Sequence, residues 1–402
     1  MAKRLAVPSK ELQLFVIGPL GSFKASRVQK TSFGQDIPST TVDELGNSLH
    51  VGESKDTPNV TLSFSAFDVG IKVFSALTGT DSASYPGGGV DIAELGEVDA
   101  AYFVKDPDTA VFAKSGHGRR LQVRDFSFSY TVDGESTEDY TLIGSEKRWF
   151  KYDVVAEEPA GSGVSFTLTE TPIQLRNGNY VLSIIADGNY LTEVAGAPDE
   201  GEYLANGVGN KTITLNAADT VVSQLIAVYH SDASTAWADV GDASMPSAIK
   251  GKDAVVSILA NDIPRVQSVT INGNMQVQGV KQMGSRDIVG YQRQVPTIEG
   301  SITVLDTDTD LISLLTYGTI GSGVEWQPGE GCDATPVALI IELQDPCDIS
   351  TAPYTILKSI EIPSITIVGD SYSVNTGGNA SSVFNFKSTT GSLIIYSGAI
   401  AP

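Results

Sequence analysis

The residues that could carry chemistry are few and scattered. The three histidines, His50, His117 and His230, fall in no HExxH, HxH or HxxxH pattern, so no zinc-type ligand set is written into the chain. Asp306-Thr307-Asp308-Thr309-Asp310 has the alternating carboxylates of a calcium loop, but it lacks the Gly and distal Glu of an EF-hand and opens a helical pattern. Glu135 and Glu138 have the residue types of a glycosidase pair, yet spacing alone does not set two carboxylates across a sugar. Gly207-Val208-Gly209-Asn210 has turn glycines without a following helix, and neither a Gly-x-Ser-x-Gly elbow nor a phosphate loop occurs. His117 with Arg119, Arg120 and Arg124 is the one basic cluster. It reads as a solvated hairpin turn or as a salt-bridge donor to an acidic neighbouring subunit. Cys332 and Cys347 flank the apolar run Val337-Ala338-Leu339-Ile340-Ile341 and read as free thiols. The expectation is a protein that is not an enzyme and holds no metal or cofactor.

Composition points to a mostly β protein. Forty Gly and eighteen Pro among 402 residues, with abundant Thr, Ser and Val, describe short strands joined by turns, and the length calls for two or three domains. The formal charge of −22 disfavours a surface that grips nucleic acid, though not one that lets it slide past. No apolar run approaches the ~20 residues of a membrane span. Met1-Ala2-Lys3-Arg4 leads into no signal-peptide core, so synthesis in a cytosol is expected.

One stretch occurs twice. Arg27-Val28-Gln29 through Leu77-Thr78 returns 238 residues later as Arg265-Val266-Gln267 through Leu315-Thr316, with 13 identities in 52 ungapped positions. Chance would give roughly three. Val60, Leu62, Phe64 and Ala66 alternate with Thr61, Ser63 and Ser65; Ile298, Ile302 and Val304 alternate with Glu299, Ser301 and Thr303. Each is a strand with an apolar and a polar face. The excursions of about 25 residues before these strands are long for hairpin connections. Their spacing is kept without a gap at Val42, Gly46, Val51 and Gly52, and at Val280, Gly284, Val289 and Gly290, so they read as ordered contact loops; Leu45 and Met283 hold matching positions in them. His50 lies in the first excursion and its counterpart is Ile288, so the two copies do not share it. After each strand the period changes to helical: Val69, Val73, Phe74 and Leu77, then Leu311, Ile312, Leu314 and Leu315, with Asp68, Asp306 and Asp308 at the helix starts.

Further strands are expected in parallel: 98–108 with 337–348, 121–132 with 356–368, and 139–150 with 382–395. The expected fold is mainly β, built of α+β units: an arm over 1–10, a first unit over 11–155, an inserted small all-β domain over 156–235, a linker over 236–250 and a second unit over 251–402. In the insert, 164–169, 180–185, 211–215 and 224–229 read as strands between turn signals.

The order of elements, the long excursions bearing Leu45-Gly46 and Met283-Gly284, and the phrase Val295-Pro296-Thr297-Ile298-Glu299-Gly300-Ser301-Ile302-Thr303-Val304 resemble the tube domain of tailed-bacteriophage major tail tube proteins, shared with Hcp-like secretion tubes and pyocin tubes. The likeness covers about 290 residues, all but the insert and part of the linker. It implies two β-sandwich or half-barrel tube domains per chain, each with one helix, in trimeric pseudo-sixfold rings that stack into a conduit for DNA. Thr61, Ser63, Ser65, Glu299, Ser301 and Thr303 would line the lumen, and the excursions would join ring to ring. Expected partners are further copies of the chain, other tail proteins and passing DNA that is not gripped. The place is the virion tail, assembled in the host cytoplasm. A single-ring secretion, terminator or baseplate protein and a monomeric carbohydrate-binding or adhesin protein are the competing classes.

Overall fold

The computed structural model describes residues 12–19, 21–25, 27–45, 49–67, 71–79, 88–105, 112–205, 211–219, 224–232, 249–259, 261–285, 287–305, 310–317, 336–345, 348, 354–374 and 379–400. The arm, most of the linker, Gly46, Asp68, Asp306, Asp308, Cys332 and Cys347 lie outside them.

The first unit runs β1 (Leu12–Gly18), β2 (Gly21–Lys24), β3 (Val28–Asp36), β4 (Ser39–Val42), β5 (Gly52–Lys55), β6 (Asn59–Ala66) and α1 (Ile71–Thr78). It continues with β7 (Val90–Asp91), β8 (Glu97–Lys105), β9 (Phe112–Thr131), β10 (Thr137–Gly144) and β11 (Glu146–Phe150). Between the units lie β12 (Asp153–Glu157), β13 (Ala160–Ser162), β14 (Ser165–Thr167), β15 (Val181–Ala186), β16 (Asn189–Val194), β17 (Glu202–Ala205), β18 (Thr212–Leu215) and β19 (Leu225–Ser231). The second unit opens with β20 (Ala254–Ile258), β21 (Asn261–Asp262), β22 (Val266–Asn274), β23 (Gln278–Val280), β24 (Gly290–Gln292) and β25 (Thr297–Val304). It closes with α2 (Asp310–Tyr317), β26 (Val337–Gln344), β27 (Ile356–Ser373), β28 (Ser381–Ser388) and β29 (Ile394–Ser397).

The repeated Arg-Val-Gln triplet has a local cause. Arg27 and Arg265 take left-handed backbone at φ 50° and 60°. The ladders to β6 and β25 then slip by one residue, between Val28 and Lys30 and between Val266 and Ser268. Gln29 and Gln267 donate Nε2 back to the Arg27 and Arg265 carbonyls, at 3.0 and 3.2 Å. The triplet is a β-bulge that sets the twist of the strand after it.

Both units pair their strands in one order, β3-β6-β10-β9 and β22-β25-β28-β27. Asp36 faces Asn59 as Asn274 faces Thr297, so the repeat offset survives in the register. β9 and β27 are long enough to serve two layers: their first halves pair with β8 and β11, or with β26 and β29. Residues 121–132 are therefore the second half of one strand, and Leu121 corresponds to Ile365, not to Ile356, because each faces the start of the preceding strand, Val98 or Val337. The second half of β9 also pairs with β22, giving an eight-stranded half-barrel wall, β3-β6-β10-β9-β22-β25-β28-β27.

One apolar core runs through both units, including Leu62, Phe74, Phe128, Ile298, Ile341 and Phe386. Val73, Phe74 and Leu77 of α1 are buried, as are Leu311, Leu314 and Leu315 of α2. The strands β12 to β19 make a separate sheet around Phe166, Ile184, Tyr203 and Tyr229. It contains β12, β13, β16 and β17 beyond the four expected strands; short, Gly-flanked segments give little periodic signal. This sheet packs through Val154, Leu182, Ile185 and Val228 on Phe15 and Phe103, in the layer opposite the wall.

Candidate assembly interface

The wall gathers the six polar positions on one face. Thr61, Ser63 and Ser65 are half-buried between buried Val60, Leu62, Phe64 and Ala66. Glu299 is exposed and Ser301 and Thr303 half-buried, alternating with Ile298, Ile302 and Val304. Across the ladders Ser63 faces Ser32 and Thr141, Ser301 faces Thr270 and Asn385, and Glu299 faces Lys387. Ser301 and Thr270 share a hydrogen bond of 2.8 Å. The carboxylates on this face, Asp36, Asp125, Asp139 and Glu299, outnumber Lys30, Lys387 and Arg124, and Arg124 is held by Asp125 at 2.6 Å. Such a face does not attract phosphate.

The two units meet edge to edge at β9 and β22, from Ser268 opposite Thr131 to Asn274 opposite Asp125. On the polar side Ser127 donates to Asn272 at 2.7 Å and Asn274 to Asp125 at 2.8 Å. On the core side Gly273 leaves room for the Phe126 ring, which would lie 2.0 Å from an added Cβ. Beneath the joint, Lys358 Nζ of the second unit reaches Glu138 of the first at 2.5 Å, both side chains 1% exposed. Tyr140 and Tyr130 also donate to Glu138, at 2.8 and 3.4 Å.

The equivalent edges at the two ends of the wall have no strand partner among the described residues. Tyr372 and Val374 are 67% and 65% exposed, whereas Phe128 and Tyr130, at the same places in the first unit, are 0% and 2% exposed. Ile271 is fully buried on the paired edge; its counterpart Phe33 is only half-buried.

Both excursions are hairpins in one register, Val42 opposite Gly52 and Val280 opposite Gly290. Leu45 and Met283 at their tips are wholly exposed, and Val42, Val51, Val280 and Val289 are also exposed. Gly284 takes φ 86°, the left-handed turn that glycine permits. The base of the second hairpin is docked on the first unit: Tyr291 donates to the Arg120 and Ile143 carbonyls at 2.7 and 3.2 Å, the Ile288 amide to Ser145 at 2.9 Å, and Arg293 to Gln122 at 2.8 Å. The second hairpin thus has a base that holds the adjoining unit, and both hairpins carry an exposed apolar residue at the tip, Leu45 or Met283. Sequence patterning did not mark Tyr291, Ser145 or Lys358, and it marked Glu138 only as half of an acid pair, because each is a single polar residue with a partner over a hundred positions away.

The chemical candidates do not assemble. His117 is not in a solvated turn; it is buried mid-strand, its Nε2 2.9 Å from the fully buried Asp99. Asp99 also accepts from the Arg120 amide and from the Tyr190 hydroxyl of the inserted sheet, each at 2.9 Å. Burial pushes the Asp99 pKa up, but His117, the Ser183 hydroxyl and the Arg120 amide outweigh it and hold the group below the ordinary carboxylate value. The network fastens the insert to the first unit. His50 is exposed beside Asp43, and His230 stacks on Phe150 at 4.4 Å, its pKa lowered by burial. Glu138 is buried in the joint while Glu135 is on the surface near Lys250, so the two do not face each other across a cleft. Among the described residues no cluster of three metal-ligating side chains occurs. No family model matches the chain, and no curated protein matches it.

Proposed function

We propose that the protein is a tail tube subunit, a structural virion protein that polymerises as trimeric, pseudo-hexameric rings stacked into a hollow conduit for DNA. The observation that carries this reading is the β9–β22 joint: the chain contains an edge-to-edge junction between like units and, at the two ends of the wall, the same edges without a strand partner among the described residues. Ser65 faces Asp139 and Thr303 faces Val383, so β9 and β10 map onto β27 and β28 with an offset of 244. Transferring the joint to a second copy then sets Ser32 opposite Ser373, Phe33 opposite Tyr372 and Gly34 opposite Ser371. Closure removes the exposed strand edges, which otherwise invite uncontrolled pairing.

The polar wall face becomes the lumen, where hydroxyls and a slight excess of carboxylates let DNA pass unheld. The insert, packed on the opposite layer, lies on the outer wall. The exposed tips Leu45 and Met283 favour stacking over isolated rings, a contact that does not close and so propagates. The test is a Ser32→Cys, Ser373→Cys double variant, oxidised and examined by non-reducing electrophoresis and negative-stain microscopy. Interchain disulfides limited to trimers, within hollow tubes, are expected. Monomers without cross-links would overturn the reading.

A further inference from the structure

We infer that Lys147 guards the free edge of β3 and passes it to a second copy of this chain, exchanging the Phe33 carbonyl for the Asp370 carboxylate of the incoming β27. The inference rests on the ring reading above. Its first ground is the direction of the Phe33 carbonyl. Val132 donates to the Gln267 carbonyl at 2.9 Å and the Met275 amide to the Arg124 carbonyl at 2.8 Å, so the odd-numbered residues of β22 point their backbone groups at β9. By the shared register, the odd-numbered residues of β3 from Thr31 to Gln35 point theirs out of the free edge. Phe33 is among them, and Lys147 Nζ donates to its carbonyl. That is the acceptor an incoming strand needs.

The second ground is the contrast between copies. Lys147 lies opposite Gly118 on β9; the matching place beside β27 belongs to Leu393, which is fully buried where the edge is already paired. A lysine stands only at the open edge, where a charge blunts unwanted pairing. Lys147 is also held in an aromatic slot, 4.3 Å from the Phe33 ring centre and 5.2 Å from that of Trp149. Burial, and then the nearby Lys114, lower its pKa, so a carboxylate arriving there is a better partner than the carbonyl.

The third ground is what arrives. The transferred register places Asp370 opposite Gln35, on the core side and diagonal to Phe33. Diagonal neighbours lie ~7–8 Å apart, within reach of a lysine. Asp370 is exposed in the chain and replaces Phe126 of the closed joint, so the open joint has polar chemistry where the closed one is apolar.

The experiment follows assembly of the full chain by light scattering and microscopy for wild type, Lys147→Leu, Asp370→Asn and the double variant. Removing the guard is expected to shorten the lag roughly tenfold, the scale of one charge-assisted hydrogen bond. Asp370→Asn is expected to lengthen the lag when Lys147 is present and to do nothing in the Lys147→Leu background. An unchanged lag in Lys147→Leu, or an equal effect of Asp370→Asn in both backgrounds, would overturn the guard. Lys147→Met repeats the measurement should the leucine variant misfold. The Ser32→Cys, Ser373→Cys cross-link separates the two levels: a cross-link with an unaltered lag removes the guard alone, and its absence removes the ring reading and the guard with it.

Discussion

The joint between the units depends on a buried ion pair, which sets a measurable penalty. Lys358→Met keeps a side chain of similar length under the Phe128 ring, 5.2 Å from the lysine nitrogen, but removes the cation 2.5 Å from Glu138. The carboxylate then retains two phenol donors, Tyr140 at 2.8 Å and Tyr130 at 3.4 Å, in a site 1% exposed. Breaking one side of a buried pair costs about 3–5 kcal/mol, because the remaining charge stays dehydrated without its counter-charge. The two hydroxyls hold the expected loss near the lower end, about 3 kcal/mol. The Glu138→Gln, Lys358→Met double variant is expected to recover most of that loss, since it removes the uncompensated charge and keeps an amide oxygen to accept from the two phenols. Urea unfolding with an unchanged slope reads both quantities. A loss below about 1 kcal/mol in Lys358→Met, or a double variant worse than either single one, would refute the claim that the Lys358–Glu138 contact holds the joint.

Two other outcomes follow from the described geometry. Asp153 is buried at the start of β12 and burial pushes its pKa from 3.8 up to about 6. A carboxyl raised in the folded state destabilises when ionised, so stability falls as pH rises from about 4 through 6. Asp153→Asn is therefore expected to add about 1–2 kcal/mol at pH 8, after allowance for solvent screening, and nothing near pH 4; superimposable pH profiles in thermal melts would count against it. Leu45→Asp with Met283→Asp places charge on both hairpin tips without touching the joint. Sedimentation should give rings but no tubes, and normal tubes would show that the tips are not the stacking contact.

The duplication, the alternating strands and the helical stripes were legible because each is a local periodicity: Val60 to Ala66 alternates at two, and Val73, Phe74 and Leu77 recur at helical spacing. The six polar wall positions could be placed on one side of their strands for the same reason. What was not legible depends on partners distant in sequence. His117 beside three arginines looks like an exposed basic turn, and only the fold brings Asp99 and Tyr190 to bury it. Glu138 resembles a surface acid until Lys358 meets it across 220 residues. The ungapped match also conceals the differing length of the later elements, so on sequence alone Leu121 falls opposite Ile356, nine residues before its structural counterpart Ile365.

Fusing two like units makes their shared joint permanent, and its residues differ from those of the open edges accordingly. Within the chain the partners arrive together, so the joint can bury Phe126, Phe128 and Ile271 and dehydrate an ion pair that would be costly to leave half-formed. In the proposed ring, the open edges exist alone in water before a second copy arrives. There Asp370 stands for Phe126, Gln35 for Gly273 and Lys147 for Leu393. Each change adds polarity where an apolar strand edge would pair with any other strand in reach. Reversing all three is therefore expected to strengthen pairing between the open edges of two copies and to lose its selectivity, giving irregular aggregates in negative-stain images in place of ordered tubes.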